Sequence, residues 1–150
     1  MCSAGFSRVD DKIPAAPPGF VQSEHRGPFS TRNGPYFHKI EPGPGIEQCF
    51  FAQTQHANGY GLVHGGMLSA FMDGLLAAAV YQETRSSSVT IHLSIDFLHM
   101  ARVGDWVMGQ ARVTRATRDV AFVEGQASVA GRDVVRASGV FKLMRKKPSV

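Results

Sequence analysis

Residues 89–97 alternate without a break. Val89, Ile91, Leu93, Ile95 and Phe97 fall on one parity, and Thr90, His92, Ser94 and Asp96 on the other. Successive side chains of a strand point to opposite faces, so this stretch reads as a strand with its apolar face on a core. Residues 105–117, 120–130 and 133–144 repeat the pattern more weakly. Their apolar sets are Val107, Ala111 and Val113, then Ala121, Val123, Ala127 and Val129, then Val135, Ala137, Phe141 and Leu143. Short links at Arg118-Asp119 and Gly131-Arg132 predict consecutive antiparallel hairpins. Upstream, two apolar-rich stretches at 36–41 and 46–54 flank Pro42-Gly43-Pro44-Gly45 and predict another hairpin.

Between the halves the period changes. Residues 67–83 are rich in Leu, Ala and Met, which are strong helix formers, and predict one long helix. It is apolar on nearly every side, so it is expected to be buried on nearly every side. Residues 1–34 are broken by Pro14, Pro17, Pro18, Gly19, Gly27, Pro28 and Gly34. They predict a loosely ordered segment with room for a short helix around 19–26.

The order is strand, strand, long helix, four strands. A helix of this length spans roughly 25 Å, and a nine-residue strand roughly 30 Å. The expectation is an α+β fold in which the helix lies along the concave face of one curved antiparallel sheet of about six strands. That domain covers 35–145, and a basic tail covers 146–150. One helix cannot cover six strands and also bury its own far side, so a homodimer or larger assembly is expected.

The 150 residues suit one domain, and 43% hydrophobic with 19% charged residues excludes a disordered or fibrous chain. Two cysteines, Cys2 and Cys49, exclude a disulfide framework or a cysteine-rich zinc site. No signal-peptide run and no apolar stretch of ~18 residues is present, so the expectation is a soluble, cytoplasmic protein. Sixteen basic against twelve acidic residues favour an anionic partner. They form no basic stripe interleaved with aromatics, so a phosphorylated small molecule fits better than a nucleic acid.

One charge breaks the helix pattern. Asp73 is the sole charged side chain between Met67 and Gln82. A carboxylate among apolar side chains is costly unless paired. It is then either a candidate general base or nucleophile, or a residue on the one solvated strip of the helix. Ser69 is the one helical neighbour with a hydroxyl to offer. At the helix start, Gly65 and Gly66 leave the first N–H groups open, a ready site for a developing oxyanion or merely a tight turn. Asn58 stands in the Gly-rich turn before them, to serve that turn or to hold a water or carbonyl oxygen. His64 reads as a general base or as a partner for loop backbone. His25, His38, His56, His92 and His99 show no metal-ligand spacing, so no metal is expected. No nucleophile elbow, phosphate loop or dinucleotide fingerprint occurs.

The string Asn58-x5-His64-Gly65-Gly66-x6-Asp73, followed by an apolar helix and four strands, resembles the hotdog-fold acyl-CoA thioesterases. It is most similar to the group of the phenylacetic-acid-pathway and four-hydroxybenzoyl-CoA thioesterases, from about residue 34 to residue 144. The resemblance implies hydrolysis of an acyl thioester to free acid and thiol, with no cofactor beyond the coenzyme A of the substrate. It implies Asp73 as the catalytic carboxylate and the Gly65 N–H as the group that polarises the carbonyl. Asn58 would orient substrate or water, and His64 would support the loop. Gly66 and Thr90 would line the substrate or hold the nucleophilic water. The resemblance also implies a dimer or tetramer with the site between subunits. Arg115, Arg118 and the tail at 145–147 are candidates for the phosphates. Phe71, Met72 and Tyr60 are candidates for the acyl pocket. The alternatives are a hotdog protein that binds acyl-CoA without turnover, and a hotdog enoyl-CoA hydratase or dehydratase.

Overall fold

The computed structural model describes residues 12–41 and 43–144. Cys2 and the tail at 145–147 lie outside them. The elements in chain order are β1 (Phe20–Gln22), α1 (Gly27–Asn33), β2 (Tyr36–Lys39), β3 (Ile46–Phe51), α2 (Gly65–Thr84), β4 (Ser88–Phe97), β5 (Trp106–Ala116), β6 (Val120–Val129) and β7 (Arg132–Leu143). All seven strands form one antiparallel sheet in the order β1-β2-β3-β5-β6-β7-β4. The sheet therefore has one strand more than expected. The extra one, β1, belongs to the segment read as loose, which carries a helix at Gly27–Asn33 rather than around 19–26.

α2 lies across the concave face. Met67, Leu68, Phe71, Met72, Leu75, Leu76, Ala79 and Val80 are buried and meet Phe50, Val107, Val123, Val135 and Phe141 from the sheet. The sheet makes room for the helix with glycine. A Cβ at Gly109 would stand 2.8 Å from Phe71 and Leu75, and one at Gly125 would stand 3.0 Å from Leu76. Real Cβ atoms do not approach so closely, so small residues set how near α2 sits. Phe71 and Met72 are thus core residues rather than pocket walls, and Tyr60 is 88% exposed.

The expected burial of α2 on nearly every side is not met within one chain. Ser69, Ala70, Asp73, Gly74, Ala77 and Ala78 are half-buried, and Tyr81 is exposed. β4 departs in the same way. It is an edge strand, paired on one side to β7. Val89, Ile91 and Phe97 are 50%, 58% and 55% exposed, although strict alternation had put them on a core. A bulge between Thr90 and His92 explains part of this. Ile91 is the extra residue, and inserting one residue exchanges the two faces on either side of it. Thr90 stands opposite the buried Phe141, and Val89 opposite the exposed Lys142. Thr90 therefore faces the helix and Val89 faces away, the reverse of what the alternation implies.

Candidate active site

The helix start is built by the loop before it. In the one-turn 3-10 helix Thr54–His56, the Gln53 N–H donates to His56 Nδ1 at 3.0 Å, and His56 Nε2 lies 2.7 Å from the Asn33 carbonyl. An acceptor Nδ1 leaves the proton on Nε2, so the Asn33 bond fixes the tautomer. The His64 N–H in turn donates to the His56 carbonyl at 2.8 Å. His56 thus ties α1, through its ring, to the residue that opens α2, through its carbonyl.

His64 is the N-cap of α2. Its Nδ1 accepts from the Gly66 N–H at 2.8 Å. A neutral His64 therefore carries its proton on Nε2 and has no free acceptor nitrogen to serve as a base. The bond also fills the Gly66 N–H, which is not available to a substrate. A Cβ at Gly66 would lie 2.9 Å from His64 Nδ1, so the second glycine is explained by the cap. The Gly65 N–H is different. It sits at the first helical position, where no intrahelical partner exists, and no other hydrogen bond of the described residues uses it. The Phe97 ring lies against Gly65, its nearest atom 3.4 Å from where a Cβ would be.

Asn58 serves its own turn. Its Oδ1 accepts from Tyr60 N–H at 2.9 Å and Leu62 N–H at 3.2 Å. No hydrogen bond of the described residues uses its Nδ2 amide, which remains a donor beside the helix start.

Asp73 is half-buried on the open face of α2. Thr90 Oγ1 donates to Asp73 Oδ1 at 2.7 Å. Ser69, the expected helper, donates instead to the Gly65 carbonyl at 2.8 Å. Gly74, beside Asp73, faces no neighbouring backbone. The Arg26 guanidinium approaches it, with Nη2 3.5 Å from the Cβ position. Arg115 and Arg118, the candidates for phosphates, are exposed at the β5–β6 end of the sheet.

The site residues thus fall in two groups. His64, Gly65, Gly66 and Asn58 gather at the start of α2, and Asp73 and Thr90 sit two turns on. Eight residues of helix separate Gly65 from Asp73, roughly 12 Å. One copy does not place both on the same carbonyl.

The residues that sequence reasoning missed are Arg26 and Phe97. Arg26 lay in the segment read as loose, and nothing in its local pattern marks it. Phe97 was read as one more core residue of its strand.

Residues 60–135 match the thioesterase superfamily. PA0474 of Pseudomonas aeruginosa, a protein assigned as an esterase, is 34% identical over 129 residues, which are 85% of this chain and 96% of that one. The chain belongs to the thioesterase superfamily and has its hotdog fold. Among solved structures, a Ralstonia eutropha thioesterase related to phenylacetic acid degradation superposes with a TM-score of 0.70 at 28% identity, over 79% of this chain and 92% of that one. PA5202 of Pseudomonas aeruginosa gives 0.71 at 23% identity, over 79% and 94%. A Streptococcus pneumoniae thioesterase protein solved with coenzyme A gives 0.68 at 18% identity, over 75% and 88%. No helix of the described residues is long and apolar enough to cross a membrane.

Proposed function

We propose that the protein hydrolyses an acyl-CoA thioester at a site shared by two copies of the chain. The observation that carries this reading is the placement of the two half-sites at opposite ends of β4. Asp73 is bonded to Thr90, near the start of the strand, and Gly65 lies against Phe97, at its end. β4 is an open edge. Edge strands pair readily with a second chain, and a two-fold axis makes such a pair antiparallel. Pairing about the middle of β4 sets Thr90 of one copy across from Phe97 of the other. Asp73 then faces the Gly65 N–H and the Asn58 amide of the second copy.

The chemistry follows from those groups. The thioester carbonyl oxygen rests on the Gly65 N–H, at the positive end of α2. Asp73 takes a proton from water as the water oxygen attacks the carbonyl carbon. The negative charge that develops on the oxygen is held by that N–H. The C–S bond then breaks, and the thiolate leaves and is protonated. Thr90 fixes one carboxylate oxygen and leaves the other for the water. Thiolate is a good leaving group, so one base and one oxyanion donor are enough. The family match and the coenzyme A found with the Streptococcus pneumoniae relative support an acyl-CoA as substrate.

The test is release of free thiol from short, medium, long and aromatic acyl-CoAs. Asp73→Asn should lower kcat by about a hundredfold to ten-thousandfold, as loss of a positioned base does. An unchanged kcat in that variant overturns the mechanism.

A further inference from the structure

Arg26 is half-buried and has gained no anion. Its Nη2 donates to Gln48 Oε1 at 2.9 Å, a neutral acceptor. Its guanidinium carbon lies 4.7 Å from the centroid of the Tyr36 ring. Nη1 is sealed from solvent and has no hydrogen-bond partner. No carboxylate of the described residues pairs with it. Burial also pushes the guanidinium below its usual range, the mark of a cation short of compensation. Tyr36 is pushed up by the same burial, so it stays a neutral phenol and supplies no charge.

The surroundings are those of an anion site. Arg26 is a wall of a cavity of about 390 Å³ between the β1–α1 segment and the start of β2. Ser23, Ser30, Arg32, Tyr36 and Gln55 share its lining, which contains two arginines and no acidic residue. The guanidinium also stands over α2 at Gly74, the residue that follows Asp73, with Nη2 3.5 Å from where a Cβ would be. Arginine's planar fork matches a carboxylate with two parallel bonds.

We propose that Arg26 recognises a carboxylate at the far end of the acyl group, so that the preferred substrates are thioesters of short dicarboxylic acids. This rests on the reading of Asp73 as the reacting end of the site. An acyl chain whose thioester stands at Asp73 runs past Gly74 toward the cavity. A small swing of the side chain over Tyr36 turns Nη1 to the incoming carboxylate, which supplies the missing counter-charge. A chain ending in methyl leaves that nitrogen as unpaired as it is in the free protein, so only the acid-ended chain gains a bond there.

The experiment compares matched acyl-CoAs, succinyl with butyryl and adipyl with hexanoyl. The wild-type chain should favour the acid-ended member by at least about tenfold in kcat/KM, the worth of one charge-assisted hydrogen bond. Arg26→Met, which keeps the apolar stem, should bring each ratio to within about threefold of unity while the methyl-ended rates hold. Arg26→Lys should recover part of the preference. Equal rates for the matched pairs in the wild type overturn the proposal, and so does an equal fall for both members in a folded Arg26→Met. Binding of the same pairs to Asp73→Asn separates the two readings. A preference there that depends on Arg26 stands even if no thioester is cleaved, and its absence overturns the anion site whatever the hydrolysis assay gives.

Discussion

At the residue scale, the Asp73–Thr90 bond decides how the carboxylate is presented. A single hydroxyl on Oδ1 holds the group in one orientation and leaves Oδ2 to other partners. Thr90 acts through Asp73, so its removal should cost rate more than stability. Thr90→Val is nearly isosteric and deletes only the donor. It should lower kcat by about tenfold with KM little changed, the scale of one hydrogen bond to a charged group. The melting temperature should shift little, because the bond lies at an exposed edge. Thr90→Ser should restore the rate, which a purely packing role of the side chain would not produce. His64 and Gly66 act differently. They are bonded to each other, and the cap they form is what leaves Gly65 as the open N–H of the helix start.

At the element scale, what the sequence made legible follows the length of each repeating pattern. α2, the strands after it and the two tight hairpins stand within a residue or two of their expected bounds, because long periodic runs allow few other folds. β1 and α1 were not legible. A three-residue strand beside prolines carries no period, and its partner β2 lies beyond an intervening helix. The neighbour of β4 was hidden as well, since β7 is more than thirty residues away and local patterning says nothing of long-range pairing. The facing of Thr90 was lost to a bulge of one residue. In the site, Asp73 stood out because it is the one charge in the apolar stretch between Met67 and Gln82. Arg26 did not, because only the tertiary structure seals its Nη1 from solvent. The glycines of the sheet interior were equally silent, yet they seat the helix. Gly109→Ala puts a methyl group where Phe71 and Leu75 already lie, and both are at most 1% exposed. Overpacking of this kind should cost about 1–3 kcal/mol, read as a lower denaturant midpoint at unchanged slope.

At the scale of the whole molecule, two features that look like defects in one chain have a common remedy. The open face of α2 and the bare edge of β4 both carry small or apolar residues, and they adjoin each other through the Asp73–Thr90 bond. A second copy docked along β4 covers the edge and brings an oxyanion donor to a carboxylate that lacks one. Assembly and activity are then the same event. Val89 and Ile91 lie on that edge, exposed and outside the catalytic set. Replacing both with Lys puts like charges where the strands would meet, the device by which natural edges avoid pairing. The double variant should sediment as a folded monomer while the wild-type chain sediments as a dimer or larger. Thiol release should fall by about a hundredfold or more, because each carboxylate then lacks the N–H that holds the oxyanion. A variant that is monomeric and fully active would show that one chain holds a complete site, and the shared arrangement would be wrong.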